Sequence, residues 1–143
     1  MSTTTLRNIL AGRKLHAISP EITLRAAAAV MAEERVGALA VLRDGVLVGI
    51  LSERDIVFRA VARGLHSDDT LVREVMTADP VTVGIDDAVS DTLAARLGDA
   101  FRHLPVMDGE KVVGLLSYRD IPTEYVMMFE RFREMQGARA DQL

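Results

Sequence analysis

Apolar positions along this chain fall into short blocks and helical stripes that alternate in a fixed order. Residues 17–19 and 81–83 read as short strands. Residues 23–34 form an alanine-rich helical stretch with Thr23 placed to cap it, and 87–97 form its counterpart. Two apolar runs follow, 38–42 and 46–51, with Asp44-Gly45 between them. The runs 103–107 and 111–116 repeat this around Asp108-Gly109. An Asp-Gly pair between apolar runs predicts a tight hairpin. Helix starts are predicted at Ser52 and Ser117, and a short helix ahead of each set, at 6–10 and 71–76. The predicted order is β-α-β-β-α, twice, which makes the chain a mixed α/β (α+β) protein.

The two sets are copies of each other. Residues 48–56 (VGILSERDI) and 113–121 (VGLLSYRDI) agree at seven of nine positions, with Asp55 and Asp120 65 positions apart. The same spacing relates Leu39 to Leu104, Val41 to Val106, Leu24 to Val89 and Ile18 to Val83. Leu6-Arg7 meets Val72-Arg73 after a slip of one residue. A unit of roughly 60 residues is small for a core of its own. Two copies packed sheet against sheet about a pseudo-two-fold axis are therefore expected, with matching motifs on opposite sides of one interface. The expected division is 5–66, 67–125 and a C-terminal helix and tail at 126–143, with 64–69 joining the copies.

Charge and composition narrow the function. Seventeen Lys and Arg against 21 Asp and Glu leave a net charge of −4. That opposes general nucleic-acid binding, which draws on phosphate neutralisation, but leaves room for a local basic pocket. There is no cysteine, hence no disulfide or thiolate chemistry. The longest apolar run, 26–32, is far short of the ~20 residues that cross a bilayer, and the N-terminus lacks the apolar core of a signal peptide. A soluble, cytoplasmic protein without membrane or nucleic-acid partners is expected. His16, His66 and His103 are too scattered for a metal site, and His16 and His66 are expected at the surface. Neither a G-x-x-x-x-G-K-S/T loop nor a G-x-G-x-x-G fingerprint is present. No catalytic residue and no metal ligand is assigned.

The chemistry sits in the repeated end of each copy, G-x-x-S-x-x-D: Gly49, Ser52, Asp55, and Gly114, Ser117, Asp120. Ser followed three residues later by Asp is close to a capping box, a purely structural device. Capping alone does not explain Arg54 and Arg119 between Ser and Asp, nor a glycine in a strand ahead of each Ser. A ligand site uses all four positions. Glycine admits close approach, the helix start offers amides to an anion, Arg forks onto phosphate, and Asp accepts from vicinal hydroxyls such as those of ribose.

With these motifs, and with Val75-Met76-Thr77 and the FRHLPV stretch at 101–106, the chain resembles a tandem pair of cystathionine-β-synthase (CBS) domains, the Bateman module, over about residues 5 to 125. The resemblance implies adenosyl ligands in clefts between the repeats: AMP first, then ATP or ADP, NAD(H), or S-adenosylmethionine. It matches Asp55 and Asp120 to a ribose-binding acid, and Ser52 and Ser117 to a hydroxyl beside the phosphates, with Arg54 and Arg119 nearby. Ile18 and the Thr82-Val83 pair match the first strand, whose backbone reads the adenine edge. Arg102 and His103 match a basic pair that meets phosphate, while His103 reads equally well as an ordinary strand residue. Two departures predict unequal clefts. Gly37-Ala38 stands where the second copy has Arg102-His103, and Pro122 forces the helix after Asp120 to start late or bend.

A last helix is expected over 123–135, with Tyr125, Val126, Met128, Phe129, Phe132 and Met135 on one apolar face. That face either packs on its own core or meets a second subunit, and a homodimer is the favoured reading. The expectation is a non-catalytic regulatory module acting on a separate, unidentified protein. The alternative is a structural or partner-binding module with degenerate ligand sites.

Overall fold

The computed structural model describes residues 4–95 and 102–141. Helix α1 (Leu6–Leu10) leads to β1 (Ala17–Ile18), α2 (Leu24–Glu34), β2 (Ala38–Arg43) and β3 (Val46–Ser52). Helix α3 (Glu53–Asp55) runs on as a π-helical segment, Ile56–Val61. The second half contains α4 (Val72–Val75), β4 (Thr77–Ala78), β5 (Val83–Gly84), α5 (Val89–Ala95), β6 (His103–Asp108) and β7 (Lys111–Ser117). A 3-10 turn, Tyr118–Asp120, precedes α6 (Thr123–Asp141). The predicted end of the 87–97 helix lies outside the described residues.

One sheet has the order β1-β2-β3-β4, the other β5-β6-β7. In each, a short strand runs parallel to the first hairpin strand, placing Ile18 beside Val41 and Val83 beside Val106. Both hairpins carry a bulge at the same point, between Val41 and Leu42 and between Val106 and Met107. The sheets meet where β2 and β3 approach β7.

Local signals explain most boundaries. The Thr23 hydroxyl accepts from the Ala26 amide at 3.1 Å and opens α2. Asp44 (φ 51°) and Gly45 (φ 80°) are both left-handed, as a two-residue hairpin of this type demands. The second hairpin differs from expectation: β6 runs through Asp108, and Gly109-Glu110 makes the turn with Gly109 at φ 63°. The strand expected at 81–83 is also displaced to Val83–Gly84. In the first sheet the Ala40 amide donates to the His16 carbonyl at 3.0 Å. The matching position in the second sheet is Pro105, which has no amide to donate, so pairing starts later. Pro122 delays the last helix as expected, and the amides of Tyr125 and Val126 donate to its carbonyl.

The leading segments are exchanged between repeats. Leu6 and Leu10 are buried with Val83, Val89, Leu104 and Leu116 of the second copy. Val72 and Val75 are buried with Leu24, Leu39, Val41 and Leu51 of the first. The backbone bonds are reciprocal. Leu6 donates to Asp87 and Arg7 to Ile85; Val72 donates to Ile22 and Arg73 to Pro20. The bridges Thr5–Ala88 and Thr23–Leu71 complete the pattern. Each donor pair is related by the one-residue slip noted above and each acceptor pair by the 65-residue spacing. This reciprocity is what a pseudo-two-fold arrangement of the copies produces.

Helix α6 divides its length between two environments. Tyr125 and Val126 pack against the second core, and the Tyr125 hydroxyl bonds that of Thr4 at 2.6 Å. Met127, Met128 and Met135 are exposed. The side chains of Phe129 and Phe132 lie outside those described.

Candidate functional site: two cavities with a common wall

Each repeated motif lies at a strand end where the chain turns into a helix. Ser52 caps α3, and Asp55 reaches back to it. The Asp55 Oδ2 accepts from the Ser52 amide (2.9 Å) and hydroxyl (3.1 Å), while the Asp55 amide donates to the Ser52 hydroxyl at 3.2 Å. The other oxygen, Oδ1, accepts from the Thr77 hydroxyl at 3.1 Å and faces the Arg59 guanidinium at 3.8 Å. Asp55 is buried, and its carboxylate is engaged on both oxygens. Arg59 in turn donates to the carbonyls of Val75 and Met76, at the C-terminal end of α4.

The second copy keeps half of this arrangement. The Ser117 amide donates to Asp120 Oδ2 at 2.7 Å, and Arg13 pairs with Oδ1. Arg13 lies between α1 and β1, so this ion pair also joins the two repeats. Neither Arg13 nor Thr77 was recognisable as an aspartate partner from sequence. Each contact spans a distance along the chain that local spacing does not encode.

The motif glycines also differ. A Cβ on Gly49 would lie 2.7 Å from the Met76 sulfur and 2.8 Å from the Thr77 carbonyl oxygen. Gly49 is therefore needed where β4 pairs closely with β3. The group that comes close to it is the chain itself. At Gly114 the nearest atom to such a Cβ is the flexible end of Leu10, at 3.2 Å, and Gly114 lines a cavity.

Two cavities flank these motifs. The larger, about 670 Å³, holds Ser117, Arg119 and Asp120 on one side and Gly37, Ala38, Ser52 and Arg54 on the other. Lys14, His16, Arg35, Arg102 and His103 also line it. The smaller, about 390 Å³, is lined by Ser52, Arg54, Asp55, Arg59, Thr77 and Val81 among others, and again by Arg102 and His103. Both volumes fall in the range of small-molecule sites, ~300–1,000 Å³. Arg54 stacks over the Phe58 ring at 5.2 Å, which holds its guanidinium at the edge of the smaller cavity.

Of the residues proposed from sequence, Ser52, Arg54, Asp55, Arg102, His103, Ser117, Arg119 and Asp120 come together around these cavities. Ile18 and Val83 do not: their side chains are buried in the two cores. Thr82 is exposed and lines neither cavity. The wall instead uses residues just before the first strands, His16 in one cavity and Pro80 and Val81 in the other. His16 is thus partly enclosed rather than a plain surface residue, with its Nδ1 3.7 Å from Glu34.

The electrostatics of the larger cavity oppose the charge of the whole chain. Arg13, Lys14, Arg35, Arg54, Arg102 and Arg119 face it, against Glu53 and Asp120. Burial pushes the His103 imidazole below its usual pKa of 6.5. Glu53 and Asp120 pull the other way, while Arg102 and Arg119 add to the depression. The neutral imidazole is accordingly favoured at pH 7. Among the described residues there is no cluster of His, Cys, Asp or Glu suited to a metal ion. No described helix is long and apolar enough to cross a membrane.

Two interlocked α/β repeats, with a cavity at each of the matching helix starts, define a tandem-repeat module. The chain belongs to the CBS domain family, whose sequence profile matches residues 6–61 and 72–124. The CBS domain-containing protein YhcV of Bacillus subtilis is 34% identical over 104 residues, covering 73% of this chain and 74% of YhcV. Several longer curated relatives are matched over only 20–22% of their length. Among solved structures, the CBS domain NE2398 is 36% identical, with a TM-score of 0.76 over 83% of this chain and 94% of that one. A CBS domain protein from Pyrobaculum aerophilum, solved in complex with AMP, is 25% identical with a TM-score of 0.77, over 90% of this chain and 99% of that one.

Proposed function

We propose that the chain is a regulatory module that binds an adenine nucleotide in the cavities between its repeats. AMP is the first candidate, followed by ATP, ADP and NAD(H). The observation that carries this reading is a cation-lined cavity at the repeated helix start, in a chain of net charge −4. Phosphates suit the arginines and helix-start amides, and an aspartate beside them suits a ribose. The AMP complex of the Pyrobaculum aerophilum relative supports the choice of nucleotide. The module acts by changing the conformation or the association of its own copies, which a separate regulated protein reads. A thermal-shift series with AMP, ADP, ATP, NAD⁺, NADH and S-adenosylmethionine tests it. At least one adenosyl ligand is expected to raise Tm at millimolar concentration, and a flat response to all of them removes the reading.

One observation favours the second reading, a structural or partner-binding module. The Asp55 carboxylate closes a capping box on Ser52 through one oxygen and accepts from Thr77 through the other. A ribose at that end would share Oδ1 with Thr77.

A homodimer is part of the proposal. Val57, Phe58, Val61 and Leu65 are exposed along and just after the π-helical segment, as are Met127, Met128 and Met135 on α6. Apolar surfaces of this kind are commonly covered by another chain. Light scattering on a size-exclusion column is expected to give twice the chain mass; a monomer at micromolar concentration assigns these faces another role.

A further inference from the structure

The two cavities have Ser52, Arg54, Arg102 and His103 in common. What each owns outside this wall is unequal. The larger adds Lys14, Arg35 and Arg119, none of which has an ion-pair partner among the described residues. The smaller adds only Arg59, whose guanidinium is committed to two backbone carbonyls and lies beside Asp55. The available positive charge of the smaller cavity is therefore all borrowed from the common wall.

Resting on the nucleotide reading, we propose that the two sites compete for Arg54 and Arg102, so that a polyphosphate in the larger cavity closes the smaller one to anions. A triphosphate has the charge to engage the larger cavity's own cations and both shared arginines together. The smaller cavity is then left facing Asp55 with no uncommitted cation. A monophosphate is satisfied by fewer cations, so two monophosphates divide the wall between them. The chain would thus hold two nucleoside monophosphates or one nucleoside triphosphate, and the count of bound molecules would report the phosphate load.

Two features support this division. Arg35 occupies a left-handed position (φ 57°) at the end of α2, where glycine is the unstrained choice. Stability does not explain an arginine there, whereas its place in the wall of the larger cavity does. His103, whose imidazole burial shifts toward the neutral form, faces Glu53, Asp120, Arg102 and Arg119 in the common wall. A polyanion seated beside it restores the charged form, so triphosphate binding takes up a proton near neutral pH.

Calorimetric titration of the full chain with AMP and with ATP, both free of divalent metal, decides it. Expected are two AMP per chain, one ATP per chain, and AMP binding to ATP-saturated protein weakened at least about tenfold, the scale on which loss of a charge-assisted contact reads. In Arg35→Gly, Tm is expected to be equal or higher, while ATP affinity falls several-fold. Proton uptake, read from buffers of different ionisation enthalpy, is expected with ATP and lost in His103→Gln. Two equal, independent sites for both nucleotides would overturn the competition and leave the nucleotide reading intact. Absence of binding by either nucleotide, with folded protein by circular dichroism, overturns both.

Discussion

Leu6→Ala is expected to lower the stability of the chain by about 2.7–5 kcal/mol, the range for burying alanine where a core leucine stood. Leu6 has no exposed surface, and its contacts belong to the second repeat, more than seventy residues away. A helix of five residues has no stability alone. It is held by the core it completes and by the Leu6 and Arg7 amide bonds to Asp87 and Ile85. Against a total of about 5–15 kcal/mol for a typical domain, such a loss is severe. Urea unfolding should show a lower midpoint with a single transition, because neither core is complete without the other half's segment. A loss below about 1 kcal/mol, or a second repeat that melts separately, would contradict the exchange as the source of cooperativity.

Asp120→Ala is the second change with a large expected effect, this time on affinity. In the ribose role Asp120 loses two charge-assisted hydrogen bonds, each worth about 1.5–3 kcal/mol. Nucleotide affinity at the larger cavity should fall at least about 100-fold. The structural cost is smaller: the Arg13 partner is half exposed and such pairs contribute about 0–1 kcal/mol, and loss of the Ser117 amide bond adds about 1 kcal/mol. Asp55→Ala should show the opposite balance. It strips a buried capping box and the Thr77 bond, at a cost of ~1–3 kcal/mol. Titration calorimetry beside thermal melts on both variants separates the roles. Unchanged affinity in both variants would assign both aspartates to the helix starts alone.

Much of the fold was legible because it is local or repeated. Ile18, Leu24, Leu39 and Val41, matched by spacing to Val83, Val89, Leu104 and Val106, all lie in the two cores. The Asp44-Gly45 hairpin, the Thr23 cap and the delay imposed by Pro122 follow from backbone chemistry within a few residues. What the pattern hides is which apolar face meets which. Leu6 and Val72 announce buried helices, but nothing near them says that each belongs to the other copy. The displacement of β5 needed the knowledge that Pro105 lies opposite its expected start. At the site, the motif residues were readable, whereas Arg13, Thr77, Lys14 and Arg35 entered through contacts between distant segments. Gly49 was read as making room for a ligand, and it makes room for β4.

The reciprocal exchange also has a mechanical consequence. Two bodies that each grip a strip of the other are stiff against prying apart, because opening one side pulls buried leucines and valines out of both cores at once. The ends that leave the clasp are the π-helical segment that grows from Ser52 and the 3-10 turn that carries Asp120 into α6. These two arms bear exposed apolar side chains, so strain from a ligand bound as proposed would reach the surface there. On the proposed regulatory reading, the expected output is a reshaping of the outer faces around a stiff centre.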